Sequence, residues 1–338
     1  MRVTNRLGLP AAFVNAVSVR RHNAPGCYSA TTLNKGVKEI VLTDRHFDEL
    51  EVDAADSVWA VWGTAVHTLF QAQDEGFLVG LLRSFIAECK NDPIIGDDGE
   101  LEKDERPLLI RLAELLEARI KAKFSKDTFV EERFEVPLSK SKITGQVDSY
   151  DMASATIYDW KTASVWKVVK ADFADWKAQG MTYAWLMAQK GLPVKKCRFV
   201  ALLKDHSKTK AATDASYPQS PVFVYEFDVT EEGLKETGDR LEKKVIELET
   251  ASLLEDKDIP PCSESERWAE PPVWAVMKNG RKSAVKLFDS EADADAFAGE
   301  MGNSHYVEHR PAVSRKCADY CPCKDFCNFY KAIKEAGQ

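Results

Sequence analysis

Three ionisable side chains lie close together in the sequence and have the types and spacing that divalent-metal chemistry needs: Asp148, Asp159 and Lys161. Both acids lie in segments rich in β-favouring residues, with a turn near residues 153–154 between them. Adjacent antiparallel strands can bring the two carboxylates to one face. With the main-chain carbonyl of Trp160 they form a set of hard oxygen ligands suited to Mg²⁺ or Mn²⁺. Lys161 lies two residues after Asp159, so on a strand both side chains point to the same side.

This set of groups is suited to hydrolysis of a phosphodiester bond. A bound divalent ion lowers the pKa of an attacking water and neutralises the charge that grows on the phosphate. The ammonium group of Lys161 adds a positive charge at the same place and can orient the water. The alternative is that Asp148 and Asp159 are surface carboxylates beside a turn and that Lys161 is solvated, because an isolated match of this kind is common.

Two predicted helices flank the strand-rich block and carry further polar residues. Apolar residues recur at helical spacing over residues 57–73, and His67 on this helix can complete a coordination sphere, which would favour Mn²⁺ over Mg²⁺. Residues 171–191 return to a helical pattern, in which Gln179 and Tyr183 are four residues apart and share one face. Taken singly, a histidine or a Gln–Tyr pair of this kind is more often structural.

Four short motifs in this order resemble those of the RecB-like branch of the PD-(D/E)XK nucleases. They are GTAVH at residues 63–67, GQVD at 145–148, DWK at 159–161 and QGMTY at 179–183. Four motifs in the right order are much more specific than any one of them, and the resemblance runs from about residue 28 to 203. It implies an α/β (α+β) fold with a restriction-endonuclease-like core, in which helices flank a mixed central sheet.

The resemblance also implies a role for each matching residue. The implied roles are metal ligands for His67, Asp148, Asp159 and the carbonyl of Trp160, a catalytic lysine for Lys161, and organisation of the site with DNA contact for Gln179 and Tyr183. A glutamate on the preceding strand often assists such enzymes, and the candidates are Glu132 and Glu135. Gln71 departs from the pattern, because an acidic residue often follows the histidine by one turn.

Four of the eight cysteines are packed into the C-terminal tail: Cys317, Cys321, Cys323 and Cys327. In a cytosolic chain, such a cluster more often binds a metal than forms disulfides. Some RecB-like nucleases, including AddB and a CRISPR adaptation nuclease, hold a [4Fe–4S] cluster. The set Cys27, Cys317, Cys321 and Cys327 resembles their ligands, with Cys323 as an alternative ligand. Binding of Zn²⁺ and packing as reduced thiols are the other interpretations.

The overall composition is that of an ordinary globular protein of 338 residues with 44% hydrophobic residues and a net charge of −8. No apolar run is long enough to cross a bilayer and no signal-peptide core is evident, so we expect a bacterial cytoplasm or the cytosol of a phage-infected host. The acidic balance excludes broad coating of nucleic acid, so DNA must follow a local basic strip. The candidates for this strip are Lys161, Lys167, Lys170 and Lys177, interleaved with Trp160, Trp166 and Trp176, and the loop at residues 204–210 is a second candidate.

Composition and breakers divide the chain into four predicted regions. They are an irregular segment (1–28), a nuclease domain (29–271), a small ββαβ module (272–311) and a cysteine-rich tail packed on the nuclease domain (312–338). The module contains a hairpin that turns at Asn279–Gly280. The nuclease domain also contains a predicted loop at 91–106 and a predicted helix at 107–124.

The function expected from these features is that of a Mg²⁺- or Mn²⁺-dependent deoxyribonuclease. We expect an exonuclease that degrades linear DNA in phage-type recombination or repair, beside a single-strand annealing protein. A first alternative keeps the fold and makes the chain a CRISPR-adaptation-like nuclease that trims DNA ends. A second alternative is a non-catalytic, metal-stapled DNA-binding or scaffold protein, against which the intact acidic pair and lysine argue.

Overall fold

The computed structural model describes residues 1–18, 24–75, 110–111, 114–115 and 128–335. The predicted loop at 91–106 lies outside these residues, as does nearly all of the predicted helix at 107–124. The chain divides into two compact units. The core unit comprises Asn5–Asn34 and Asp53–Val245, and the C-terminal unit comprises Met1–Thr4, Lys35–Val52 and Ile246–Gln338.

The strands and helices are as follows in chain order. The strands are β1 (Arg2–Thr4), β2 (Cys27–Ser29), β3 (Glu51–Asp53), β4 (Thr128–Leu138), β5 (Ser141–Asp151), β6 (Thr156–Ala163), β7 (Lys196–Leu203), β8 (Val222–Asp228), β9 (Ala269–Glu270), β10 (Val273–Lys278), β11 (Lys286–Phe288), β12 (His305–Arg310) and β13 (Val313–Ser314). The helices are α1 (Ala11–Ser18), α2 (Val37–Arg45), α3 (Val58–Glu75), α4 (Val165–Val169), α5 (Ala174–Ala188), α6 (Lys208–Thr213), α7 (Glu231–Ala251), α8 (Glu291–Glu300), α9 (Arg315–Asp319) and α10 (Asn328–Glu335).

A mixed sheet forms the centre of the core unit. Among the described residues its strands run in the order β2-β5-β6-β7-β8, and β4 also pairs with β5. Strands β4, β5 and β6 are antiparallel neighbours, whereas β6 and β7 are parallel and are connected through α4 and α5. Helices α3 and α5 pack on this sheet. The predicted fold class, a mixed sheet flanked by helices, is confirmed.

Sequence pattern explains how the sheet and its helix are buried. Along β7 (KCRFVALL) every second residue is buried, as expected of a strand whose alternate side chains enter a core. Helix α5 is buried at every position from Gln179 to Met187, so it is a central helix rather than an amphipathic surface helix. The largest fully buried side chains of this unit are Ile143, Tyr150, Ile157, Leu186, Met187, Phe199 and Leu241.

The glycine of the GQVD motif lets α5 approach β5 closely. A Cβ atom at Gly145 would lie 2.7 Å from Leu186 Cδ1 and 2.8 Å from Tyr183 Cδ1, closer than carbon atoms can approach without a shift of the structure. Any side chain at this position would push the helix away from the strand. Gly145 therefore fixes the distance between Tyr183 and the strand that carries Asp148.

The C-terminal unit contains the small module that the sequence predicts. Strands β11, β10 and β12 form an antiparallel sheet with α8 packed on it, and Gly280 adopts a φ of 81° in the turn after β10. Strands β9 and β13 pair at the two ends of the module. The ββαβ arrangement agrees with the prediction.

The domain boundaries seen in the structure differ from the predicted ones. Residues 35–52 and 246–271, predicted as part of the nuclease domain, group with the module and the tail in the C-terminal unit. One reason is a buried lysine on α2: Lys38 Nζ donates to the carbonyls of Asp256 and Ile259, 3.0 and 2.6 Å away, and to Asn328 Oδ1. The segment 1–28, predicted to be irregular, includes α1 and the first part of β2. None of the described helices has the length and hydrophobicity that a membrane span requires.

Candidate active site

Asp148 and Asp159 lie where β5 and β6 separate. The ladder between the two strands pairs Asp151 with Thr156 and ends at the pair Ser149–Tyr158. In that register the next opposed residues are Asp148 and Asp159. The main-chain N–H of Trp160 donates to Asp148 Oδ2 at 2.8 Å. The Asp148 side chain thus accepts from a main-chain N–H group that lies beyond the end of the ladder. This bond holds Asp148 beside Trp160, the residue that follows Asp159, at the point where the strands separate.

Asp159 is almost fully withdrawn from water, with 1% of its surface exposed. Lys161 Nζ lies 2.5 Å from its Oδ2 atom, as the spacing of the two residues predicts. Burial raises the pKa of Asp159 to about 6, although Lys161 opposes the shift. This oxygen has an ionic contact with Lys161 but accepts no hydrogen bond of good geometry. A buried carboxylate oxygen in this state fits a cation as its further partner.

Gln179 and Tyr183 hold Asp159 from α5. Gln179 Nε2 donates to Asp159 Oδ1 at 3.3 Å and to the Tyr183 hydroxyl at 2.7 Å. Burial raises the pKa of Tyr183, so its hydroxyl stays protonated. Both side chains are buried and are linked to Asp159 through Gln179 Nε2, and their predicted role in organising the site stays a prediction. The predicted contact of this pair with DNA stays a prediction.

His67 completes a second group of ligand atoms together with Glu131 and Asp148. One atom from each side chain lies within 4.8 Å of the others, and the part of the chain that the structure describes contains no further group of this kind. His67 Nδ1 is 3.3 Å from Asp148 Oδ2, and this hydrogen bond raises the pKa of His67. Two carboxylates and an imidazole are a donor set that fits Mg²⁺ or Mn²⁺.

The glutamate in this group is Glu131, which the sequence analysis missed in favour of Glu132 and Glu135. Both of those side chains are exposed. Glu131 adopts a φ of 51°, and it lies between the ladder pairs Val130–Ser149 and Glu132–Val147, so it opposes Asp148. The register would have identified it if the β4–β5 turn had been located first.

Trp160, whose main-chain carbonyl is a predicted ligand, lies between the two site residues of β6. Its ring contacts the Phe70 ring, with the ring centroids 4.7 Å apart, and its carbonyl stays a predicted ligand.

Only part of the predicted DNA strip is exposed. Trp176 is buried, and Lys167 pairs with Asp175 at 2.8 Å. The exposed side chains of this strip are Trp166, Lys170 and Lys177, together with Lys204, Lys208 and Lys210 of the loop at 204–210.

Another set of cysteines meets in the C-terminal unit. Burial raises the pKa of Cys262, and a charge on Cys321 adds to this shift. Burial also raises the pKa of Cys317, and charges on Cys262, Cys321 and Cys327 raise it further. These four thiols therefore lie near one another. Cys323 is buried, with its sulfur 3.5 Å from that of Cys321. Cys262 therefore lies near the predicted trio of the tail. Sequence reasoning missed Cys262 because nothing in its local pattern links it to a tail that lies far along the chain.

Comparison with known proteins agrees with this geometry. The sequence profile described as the PD-(D/E)XK nuclease superfamily matches residues 45–328, a range that includes both site strands, both site helices and the tail cysteines. The match covers well over half of the chain, so this chain belongs to the PD-(D/E)XK nuclease superfamily. The resemblance drawn from the four motifs is confirmed at this level.

Solved structures similar to this chain are distant in sequence and shape. SSO0001 is 13% identical, with 70% of this chain and 82% of that chain covered and a TM-score of 0.36. The alkaline exonuclease LHK-Exo from Laribacter hongkongensis is 14% identical (42% and 68% covered, TM-score 0.27). A phage related exonuclease from Haemophilus somnus 129PT is 19% identical (50% and 82% covered, TM-score 0.25). No curated protein matches the chain at a significant level.

Adjacent glutamates test the ligand group directly. We expect Glu131→Gln to weaken Mn²⁺ binding by at least tenfold, because one charged oxygen ligand is lost, while Glu132→Gln leaves the affinity unchanged because Glu132 is exposed. Isothermal titration calorimetry of Mn²⁺ with both variants and the wild type measures this difference. Equal affinities of the two variants would remove Glu131 from the site.

The raised pKa of Asp159 predicts a pH dependence of metal binding. A metal ion needs the deprotonated carboxylate, and the pKa of this group is about 6, so protons compete with the ion as the pH falls through that value. His67 must also lose its proton to bind the ion, and its pKa is raised above the usual 6.5, so both groups make the apparent Kd for Mn²⁺ rise as the pH falls, by about tenfold per pH unit for each group that is protonated. A titration series from pH 5 to 8 measures it, with Asp159→Asn as the control that binds weakly and keeps only the shallower dependence contributed by His67. A constant Kd in the wild type across that range contradicts the prediction.

Proposed function

We propose that this protein is a Mg²⁺- or Mn²⁺-dependent deoxyribonuclease that degrades linear DNA from its ends. The observation that carries the proposal is the contact between Lys161 and the buried Asp159, next to the group formed by His67, Glu131 and Asp148. Membership of a nuclease superfamily supports the class of reaction. The degradation from ends rests on the resemblance to RecB-like exonucleases.

Each residue of the site has a task in this proposal. His67, Glu131, Asp148 and Asp159 hold the ion, with the Trp160 carbonyl as a further ligand. The ion, when bound, supplies an attacking water of lowered pKa and neutralises charge on the phosphate. Gln179 keeps Asp159 in place by donating to its Oδ1 atom.

Lys161 supplies the positive charge that the reaction needs on the protein side. Its ammonium group lies 5.5 Å from the centre of the Phe199 ring, and 19% of its side chain is exposed. In such partly apolar surroundings a charge acts on a phosphate more strongly than it does in bulk water. Lys161 therefore orients the attacking water and stabilises the charge of the transition state.

The biological setting that we propose is recombination or repair of the phage type. The enzyme would act in the cytoplasm on linear DNA and would work with a single-strand annealing protein. This setting rests on the family resemblance. The end-trimming role and the non-catalytic scaffold are the alternatives, and the close contact of Lys161 with Asp159 favours a catalytic protein over a scaffold.

Removal of the lysine tests the activity. With Mg²⁺ or Mn²⁺, we expect the wild type to release nucleotides from end-labelled linear DNA and to leave covalently closed circles intact. Lys161→Ala should lower the rate by at least a hundredfold, because a group that stabilises transition-state charge contributes about 10²–10³ in rate. Lys195→Ala is the matched control, since Lys195 is exposed and precedes β7.

The outcomes of this assay separate the alternatives. Cleavage of closed circles at the rate of linear DNA would rule out end-dependent action. Absence of any cleavage by a folded wild type that binds Mn²⁺ would favour the scaffold. Undiminished activity of Lys161→Ala, with a circular dichroism spectrum like that of the wild type, would remove Lys161 from the mechanism.

We also propose that the tail cysteines bind a [4Fe–4S] cluster, and that Cys262 rather than Cys27 is the fourth ligand. Cys262, Cys317, Cys321 and Cys327 all belong to the C-terminal unit, whereas Cys27 begins β2 of the core unit. Zn²⁺ bound by the same thiolates is the alternative.

Two serine variants decide the ligand set. Purified without oxygen, the wild type should be brown and contain about four iron atoms per chain, the content of one cluster. Cys262→Ser should lose most of this iron, and Cys27→Ser should keep it. Iron analysis and the visible absorption spectrum measure the content. If Cys27→Ser loses the iron and Cys262→Ser keeps it, the ligand set predicted from the sequence is correct. If the wild type is colourless and contains zinc, the tail cysteines bind Zn²⁺ rather than an iron–sulfur cluster.

A further inference from the structure

An exposed tryptophan and a lysine form a pair on the core unit. Trp59 is 58% exposed, and Lys204 Nζ lies 4.0 Å from the centroid of its ring. An aromatic ring held open to solvent beside a cation can bind a planar group together with a negative charge. The proposed function does not use this pair.

The face of α3 that carries Trp59 also carries His67. Trp59, Gly63 and His67 follow one another at four-residue intervals, so they lie along one stripe of the helix. A Cβ atom at Gly63 would lie 3.5 Å from Thr162 Oγ1, which shows that this stripe faces β6 one residue beyond Lys161. A rise of 1.5 Å per residue places Trp59 about 12 Å from His67 along the helix axis.

Lys204 follows β7 and lies at the same end of the strands. Strands β6 and β7 are parallel and in register up to the pair Ala163–Leu203, and Lys204 N donates to the Ala163 carbonyl at 3.0 Å. Lys204 therefore lies at the end of β7 that adjoins the end of β6 beyond Lys161. Trp59 on α3 and Lys204 after β7 therefore approach this end of the strands from two different elements.

We infer that Trp59 and Lys204 form a nucleotide-binding subsite beside the metal-binding group, an inference that rests on the proposed nuclease function. A base of the DNA stacks on the indole ring, and the ammonium group of Lys204 binds a backbone phosphate. DNA is the occupant that fits because the pair lies on the stripe of α3 that also carries His67 and offers a cation and a ring face together. With a net charge of −8, the chain needs such local cations to hold a polyanion.

The chain offers a matched control on the same helix. Trp62 is 54% exposed, much as Trp59 is; it adjoins Trp59 three residues along the helix but lies about 100° around the helix from Gly63, away from the side that faces β6 and carries His67. A general effect of removing a surface tryptophan would appear equally in both variants. A nucleotide subsite at the stripe would be affected only by substitution of Trp59.

Kinetics on linear DNA with Mn²⁺ test the inference. We expect Trp59→Ala to raise KM by about 5- to 150-fold, the range for loss of one stacked base, with kcat at saturating DNA within about twofold of the wild type. Trp59→Phe should restore most of the affinity, and Trp62→Ala should behave as the wild type. Lys204→Ala should raise KM and lower the slope of log KM against log salt by about one, because one phosphate contact is lost.

Binding without turnover separates this inference from the proposed function. Fluorescence anisotropy of labelled DNA in the absence of metal reports the same differences in Kd without any need for cleavage. If the wild type binds DNA without cleaving it and Trp59→Ala binds more weakly, the subsite stands and the proposed nuclease activity fails. If Trp59→Ala cleaves and binds as the wild type does, or if Trp62→Ala is equally impaired, the subsite is overturned.

Discussion

The structure of the site depends on one unfavourable arrangement, a carboxylate withdrawn from water where two strands separate. Burial raises the pKa of Asp159 to about 6 even though Lys161 opposes the shift, so the charge of this carboxylate is sustained by Lys161 and by the amide of Gln179. The neighbouring acid, Asp148, is fixed by a main-chain N–H group and by His67. A divalent ion is the partner that would compensate for this concentration of buried acidic groups.

The elements around this point are shaped by the same constraint. Helix α5 can hold Asp159 only because Gly145 allows it to lie against β5. Strand β4 brings Glu131 opposite Asp148 through its register with β5, and Glu131 departs from extended geometry at this point, with a φ of 51°. Such local strain persists where the surrounding structure enforces it, as in many functional sites. The site is therefore a property of the whole sheet and its two flanking helices rather than of one motif.

Local sequence patterns predicted the features of the site that depend on short spacing between residues. The two-residue interval between Asp159 and Lys161 placed both side chains on one face, and the structure has them in contact. The motif order gave the superfamily. The proposed roles of Glu131, Cys262 and Trp59 were missed because they depend on register or on contacts between distant segments. The sequence offered Glu132 and Glu135 without separating them, and the positive φ of Glu131 cannot be read from a strand pattern.

The position of a bound ion tests the central claim most directly. Crystals of the protein grown with Mn²⁺ would show the ion by its anomalous scattering. We predict one strong peak within about 2.0–2.2 Å of a carboxylate oxygen of Asp148, with Asp159 and His67 among the other ligands. A peak bound elsewhere, or a fully loaded crystal with these side chains still paired only with each other and with Lys161, would contradict it.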